Sequence, residues 1–236
     1  MANTYFKFKK FTIHQDKCAM KVCTDACLFG AIVADTQVAV HCLDIGTGTG
    51  LLPLMLAQKN THSLIDAVEI DGAACQQATE NMAATAWADR MTVFNTDILT
   101  FDPGKQYDCI ISNPPFFTDH LKSPDAKKNN AKHNTTLELT ALLKMVKILL
   151  INDGIFAVLL PYKGAEFFIA EALELDLHLT RQVLVKQTFK HKFFRSILFF
   201  KRNESQPDLS EIIIKDGEGN YTNEFSACLK DYYLFL

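Results

Sequence analysis

The segment "DIGTGTG" (Asp44–Gly50) constrains the fold more than any other stretch of the chain. It joins an apolar run, "AVHCLDI" (Ala39–Ile45), to a helix-prone run, "TGLLPLMLAQ" (Thr49–Gln58). Strand, glycine turn and helix are the opening of a βαβ unit. Glycines at 46, 48 and 50 permit positive φ and let the backbone approach a ligand without interference from a Cβ. The helix N-terminus beyond presents unpaired N–H groups suited to a carboxylate or a phosphate. A glycine turn alone would fit any nucleotide-binding α/β protein. The spacing here is GxGxG, without the GxGxxG of a dinucleotide site or the GK[ST] of a triphosphate site.

The alternation continues along the chain. "SLIDAVEI" (Ser63–Ile70), "RMTVFNT" (Arg90–Thr96), "YDCIIS" (Tyr107–Ser112) and "GIFAVLLP" (Gly154–Pro161) read as short buried strands. "GAACQQATENMAATA" (Gly72–Ala86), "TTLELTALLKMVKILL" (Thr135–Leu150) and "AEFFIAEALEL" (Ala165–Leu175) read as helices, the second opened by a Thr135/Glu138 capping box. Two or three strands follow within Leu177–Lys215, and a short helix is expected around Asp25–Val33. This order predicts a single α/β domain over residues 1–236. Its sheet is doubly wound and mostly parallel, with an antiparallel strand at one edge, and residues 1–35 form a short N-terminal helical extension.

Composition narrows the class. With 236 residues, 48% of them hydrophobic, the chain is long enough for one sizeable core. No apolar run approaches the roughly 18 residues that span a bilayer, since Lys144 and Lys147 break the best candidate. "MANTYFKFKKF" lacks the pattern of a signal peptide. Seven cysteines, an odd number with no CxxC pair, read as reduced core residues, and no histidine or cysteine spacing suggests a metal site. The expectation is a soluble, cytoplasmic monomer without metal. Net charge is −3, but the charge is segregated: Arg181–Arg202 holds seven Lys/Arg and no acid. Further clusters are Lys7–Lys21 and Lys122–His133. A basic face on a mildly acidic protein suits a nucleic-acid partner, although any single cluster also fits solvated surface lysines.

Three acids stand at successive strand ends: Asp44, Glu69 and Asp97. Asp44 suits an ammonium or a bound water. Glu69, 19 residues beyond Gly50, suits a pair of ribose hydroxyls, and Asp97 suits an adenine amino group. Each alone reads equally as a loop or N-cap acid. Together with Gly46, Gly48 and Gly50 they describe a ligand with a carboxylate, an ammonium, a ribose and an adenine. S-adenosylmethionine carries all four.

"ISNPPFF" (Ile111–Phe117) closes the fourth strand, beside the first at the switch point of such a sheet. Proline after Asn113 biases it to extended backbone, while Pro114 and Pro115 stiffen the loop and leave the Pro114 carbonyl free to accept. The Asn113 carboxamide oxygen and that carbonyl can each take one N–H of a planar amino group, aiming its lone pair at a methyl carbon. Phe116 can stack on the base.

"DIGTGTG", "VEID" and "SNPPFF" together resemble the class I methyltransferases of exocyclic amino groups. "KFKKFTIHQDKCAMKVCTDACLFGA" (Lys7–Ala31) is similar to the N-terminal segment of the bacterial tRNA1(Val) adenine-N6 methyltransferases, as are "AKHNTTLEL" (Ala131–Leu139) and "KDYYLFL" (Lys230–Leu236). That resemblance implies N6-methylation of the adenosine just 3′ of the anticodon, with tRNA as partner through its anticodon loop. It also implies that Lys21, Thr24 and Asp25 lie over the donor pocket, although Thr24 reads equally as a helix cap. The family commonly has glycine where Cys23 stands, and often tyrosine where Phe116 stands. Alternatives at this point are a glutamine N5-methyltransferase of release factors, an N6-adenine methyltransferase of ribosomal RNA, and a nucleic-acid-binding protein without turnover. A cytosine C5 enzyme is disfavoured, because its Pro-Cys nucleophile is absent. Phe189, Phe193 and Phe194, interleaved with the basic residues, favour RNA over protein.

Overall fold

The structure, a computed structural model, describes residues 3–36, 40–115 and 139–236. The chain opens with a small antiparallel hairpin, β1 (Tyr5–Lys7) and β2 (Thr12–His14), followed by α1 (Thr24–Thr36). The alternating part runs β3 (His41–Ile45), α2 (Leu51–Lys59), β4 (Leu64–Glu69), α3 (Gly72–Ala83), β5 (Met91–Asn95) and β6 (Tyr107–Ser112). After helical residues 139–149, here α4, come β7 (Leu150–Pro161), α5 (Tyr162–Leu173), β8 (His178–Lys186), β9 (Phe193–Lys201), β10 (Asp208–Ile213) and α6 (Asn223–Leu229).

Eight strands form one sheet in the order β10-β8-β9-β7-β6-β3-β4-β5, all parallel except β9. The order reverses between β3 and β6, where Asp44 pairs with Ile111 and Ile45 with Ser112. The expected antiparallel strand is present but is not the edge strand. β9 is inserted between β7 and β8, and the edge is the parallel β10. A hairpin returning from β8 must run antiparallel, and β10 then has only the outer side of β8 to pair with.

Both faces of the sheet are covered, which is why the strands read as unbroken apolar runs. On β7, Ile155, Ala157 and Leu159 face α1 and α2, while Phe156, Val158 and Leu160 face α4 and α5. β6 divides its residues likewise, Cys109 and Ile111 to one side and Tyr107 and Ile110 to the other. β7 begins four residues before the expected Gly154, because α4 feeds straight into it. A Cβ at Gly154 would stand 2.7 Å from Leu150 Cδ1 and 3.1 Å from the Asp108 carbonyl oxygen, so a side chain there would block the pairing. The sequence reading missed the β1–β2 hairpin and α6. The hairpin strands have three residues each, too few to display a period. The Thr135/Glu138 capping box lies outside the described residues. Among the described residues, no helix is long and apolar enough to cross a membrane.

The two ends of the chain close the α1/α2 face together. Phe6 and Phe8 pack on Tyr233, with ring centroids 5.7 and 6.0 Å apart, and the Lys9 amide donates to the Tyr232 carbonyl at 2.8 Å. The hairpin is pinned to α3 by Asn81. Its Oδ1 accepts from the His14 amide at 2.9 Å, and its Nδ2 donates to the carbonyls of His14 at 2.8 Å and Thr49 at 2.9 Å. One buried carboxamide thus joins the N-terminal segment, α3 and the glycine turn. Asn81→Ala would strand the buried Thr49 carbonyl and two part-buried backbone groups of His14, each costing about 1–3 kcal/mol where water cannot reach it. The expected loss is about 3 kcal/mol in urea unfolding; a loss below about 1 kcal/mol would contradict the pinning role.

Candidate active site

The site is built at the carboxyl ends of β3, β4, β5 and β6, where the strand order reverses. β3 ends in Asp44, fully buried, and Ile45. The turn that follows is braced on β4, with the amides of Gly46 and Thr47 both donating to the Val68 carbonyl at 2.9 and 3.1 Å. Gly48 has φ +55° and Gly50 φ +80°, backbone that only glycine adopts without strain. Gly50 also begins α2 as its N-cap, and a Cβ there would come within 3.1 Å of Met82 Cε. Gly46 and Gly48 face open space in a cleft of about 460 Å³.

Glu69, at the end of β4, borders this cleft and accepts two backbone amides: Gly48 at 2.8 Å through Oε2 and Asp71 at 3.0 Å through Oε1. Asp97 lies across from it after β5. Its Oδ1 accepts from the Leu99 amide at 2.9 Å and caps the short turn Ile98–Thr100. Asp97 is therefore an N-cap and a cleft residue at once. Ile70, 69% exposed, and Ile98 supply the apolar walls.

Asn113 and Pro115 close the β6 side of the cleft. Ser112 Oγ donates to the Ile45 carbonyl at 2.8 Å, tying the end of β6 to that of β3 and fixing where Asn113 begins. The Asn113 Oδ1 atom is buried and has no hydrogen-bond partner among the described residues. Pro114 adjoins it, half-buried; Phe116 lies outside the described residues, as does Lys122–His133.

From the N-terminal segment, the residues bordering the cleft are Lys17, Cys18, Ala19 and Met20. They are held over it by Lys17, whose amide donates to Gln77 Oε1 at 3.1 Å and whose Nζ pairs with Glu80 at 2.6 Å. Lys21 and Thr24 do not border the cleft. Lys21 Nζ donates to the Gln15 carbonyl, and Thr24 opens α1 beside the Tyr233 hydroxyl. Sequence reasoning missed Lys17–Met20, Ile70 and Ile98. An isoleucine directly after the Glu69 strand end was the available signal for the last pair, being apolar where the chain leaves the sheet.

Asp44 sits beneath the turn rather than in the cleft wall, and neither carboxylate oxygen completes a hydrogen bond among the described residues. Burial pushes its pKa up to about 7, with the nearby Thr47 hydroxyl offsetting part of the rise and Glu69 adding to it. Burial and the same Glu69 carboxylate raise the Cys18 thiol to about 11, which keeps it protonated near neutrality.

A parallel sheet with one inserted antiparallel strand, and a glycine turn, acids and Asn-Pro-Pro at its switch point, define a class I methyltransferase. Residues 26–140 match the Methyltransferase small domain family. Solved structures agree on the fold. A predicted O-methyltransferase of Agrobacterium tumefaciens superposes with a TM-score of 0.68 at 13% identity, covering 88% of this chain and 96% of that one. A glycopeptide N-methyltransferase complexed with S-adenosyl-L-homocysteine gives 0.54 at 11% identity, covering 75% and 89%. Sequence relatives are nearer. The tRNA1(Val) (adenine(37)-N6)-methyltransferase of Dyadobacter fermentans is 44% identical over 98% of both chains, and that of Bacteroides thetaiotaomicron 41% over the full length of both. The chain belongs to the tRNA1(Val) (adenine(37)-N6)-methyltransferase family.

The raised pKa of Asp44 has a sign that can be measured. The folded chain holds this proton up to about pH 7, whereas an unfolded aspartate releases it near its ordinary value of 3.8. Between these values the folded state binds more protons, so this group lowers stability as pH rises through that window. Asp44→Asn removes the decline. Urea unfolding at pH 5 and pH 8 should show the variant gaining on the wild type at the higher pH; parallel pH profiles would contradict a raised Asp44.

Proposed function

We propose that the protein transfers the methyl group of S-adenosylmethionine to the exocyclic N6 of an adenosine in tRNA, the one just 3′ of the anticodon in tRNA1(Val). The observation that carries this reading is the buried Asn113 Oδ1, without a hydrogen-bond partner among the described residues, on the β6 side of a cleft whose other side holds the glycine turn. Near-full-length relatives named for this reaction support the substrate. We place the reaction in the cytoplasm and read the N-terminal segment as an extension over the donor site.

The residues present fit S-adenosylmethionine. Asp44, buried beneath the turn with no hydrogen bond among the described residues, has a charge to give to an ammonium seated on that turn. The turn at Gly46 and Gly48 leaves room for the backbone to meet the amino-acid end of the ligand. Glu69 already holds two amides, yet each carboxylate oxygen has a further lone pair for a ribose hydroxyl. Asp97, Ile70 and Ile98 form the slot for the adenine. When bound, the ligand supplies an electrophilic methyl on a sulfonium.

Asn113 Oδ1 and the Pro114 carbonyl each accept one N–H of the adenine amino group. Holding both protons in place orients the nitrogen lone pair, normally delocalised into the ring, toward the methyl carbon. With S-adenosylmethionine bound, Asn113 and Pro114 keep this nitrogen in line to take the methyl from the sulfonium, which is left a neutral thioether. The methylated nitrogen then loses one proton to solvent. It is acidic enough at that stage that no strong base is needed, and Asn113 and Pro115 bring none.

Asn113→Ala should lower kcat for tRNA by about 100-fold, the order seen when one positioned hydrogen-bonding group is lost from a reacting centre. The measurement is labelled S-adenosylmethionine with unmodified total tRNA, digested to nucleosides. Label recovered in N6-methyladenosine with wild type and lost in the variant is expected; label in an added release factor instead would overturn the substrate. Because Asp44 must ionise to meet an ammonium, affinity for S-adenosylhomocysteine should weaken below about pH 7, by at most about tenfold per pH unit. Calorimetric titrations from pH 6 to 8 check this, and Asp44→Asn should bind weakly with a flat profile.

A further inference from the structure

We infer that the β7–α5 turn and the β8–β9 hairpin form a docking lip for a single-stranded RNA loop, resting on the RNA reading above. Strand register carries the geometry. Ser112, at the end of β6, pairs with Val158, but β7 runs on to Pro161, which pairs with Arg195 of β9, and Lys186 of β8 pairs with Phe193. These three strands therefore overrun β6 by three or more residues, a wall of about 10 Å beside Asn113. Lateral spacing puts β7, β9 and β8 at about 5, 10 and 15 Å from β6, a few nucleotides' reach.

The rim of that wall is aromatic and basic. Between Lys186 and Arg195 stand four Lys/Arg and His191 with no acid. Two of these cations serve the fold: Arg195 pairs with Asp25 at 2.6 Å, and Lys186 lies 4.1 Å from the Phe193 ring centre and 3.2 Å from Glu211. Lys163, Lys190 and Lys192 are exposed at the rim. Among them Tyr162 and Phe193 stand 5.4 Å apart, and Phe189, 57% exposed, rests against Gly217. Exposed Tyr162 and Phe189 and half-buried Phe193, set among lysines, match unstacked bases joined by phosphates: the rings take base faces and the ammonium groups take the backbone. A folded peptide surface would not call for this run of cation without acid.

The two contributions separate by salt. Lys190→Ala/Lys192→Ala should weaken binding of a fluorescent anticodon stem–loop RNA about tenfold at 0.15 M salt. It should also reduce the slope of log K against log[salt] by about 1.4, two single-strand phosphates. Tyr162→Leu/Phe193→Leu should weaken binding similarly with the slope unchanged. In both variants S-adenosylhomocysteine affinity should match wild type; Tm should match in the lysine pair and drop modestly in the aromatic pair, which gives up the Lys186–Phe193 contact. RNA affinity unchanged in both, or no RNA binding by the wild type, would overturn the lip. Wild-type RNA binding that depends on these residues, with no methyl transfer to tRNA, would instead keep the lip and sink the proposed reaction.

Discussion

The Glu69 carboxylate is the interaction on which the site's geometry depends. One oxygen holds the Gly48 amide, so the glycine turn cannot relax away from β4; the other holds Asp71, whose own side chain caps α3 at the Ala74 amide. Turn, strand end and helix start are thereby referred to one rigid group. A glycine turn with three residues at positive φ has many conformations open to it, and ordering it costs more entropy than ordering other residues. Charge-assisted hydrogen bonds to an ionised carboxylate are among the stronger ones available to offset that cost. The acid that would meet a ribose is first the acid that shapes the loop beneath it.

A second constraint comes from the N-terminal segment. Residues Lys17–Met20 reach the cleft because Asn81 and Gln77 of α3 take up the backbone groups of His14, just before them, and of Lys17 itself. Gln15 adds to this by accepting the Val22 amide at 2.8 Å and donating to the Asn3 carbonyl at 3.0 Å. An irregular segment crossing a buried surface needs every such group satisfied, and here side chains of α3 do most of that. The aromatic pairing of Phe6 and Phe8 with Tyr233 holds its far end, so both termini of the chain are fixed by the same patch of core.

The parts of this arrangement legible in the sequence are those with a period or a backbone requirement. β3, β4 and β6 are mostly apolar because two faces bury them, and DIGTGTG carries its own explanation in Gly48 and Gly50. Asp44, Glu69, Asp97 and Asn113 were reached because topology brings strand ends to one edge, whatever lies between them in sequence. What was not legible depends on contacts distant in the chain. Lys17–Met20 border the cleft through partners 60 or more residues away, and nothing local marks them. Lys21 and Thr24, expected there from resemblance, do not border the cleft; their side chains engage the Gln15 carbonyl and the Tyr233 hydroxyl. The place of β9 was also hidden: strand patterns indicate pairing partners poorly, and antiparallel insertion leaves the same apolar alternation as an edge position.

The ion pair between Asp25 and Arg195 connects these two halves of the site. Burial alone would raise the Asp25 pKa, but the Cys23 and Arg195 hydrogen bonds outweigh it and hold the carboxyl below its ordinary value. The pair therefore contributes stability above the ordinary carboxylate range, lost only as pH falls through the lowered value. Arg195 opens the well-packed part of β9, just inside the basic rim, while Asp25 opens α1, which follows directly on Lys17–Met20. One partly buried contact thus fixes the rim and the segment over the donor cleft relative to each other. Without it, β9 and α1 would still belong to the same core, but the charge left behind would be buried without its partner, a loss of about 3–5 kcal/mol in comparable pairs. The net charge of −3 hides this division of labour. Lys163, Lys190 and Lys192 are exposed together at the rim, even though the chain as a whole is mildly acidic.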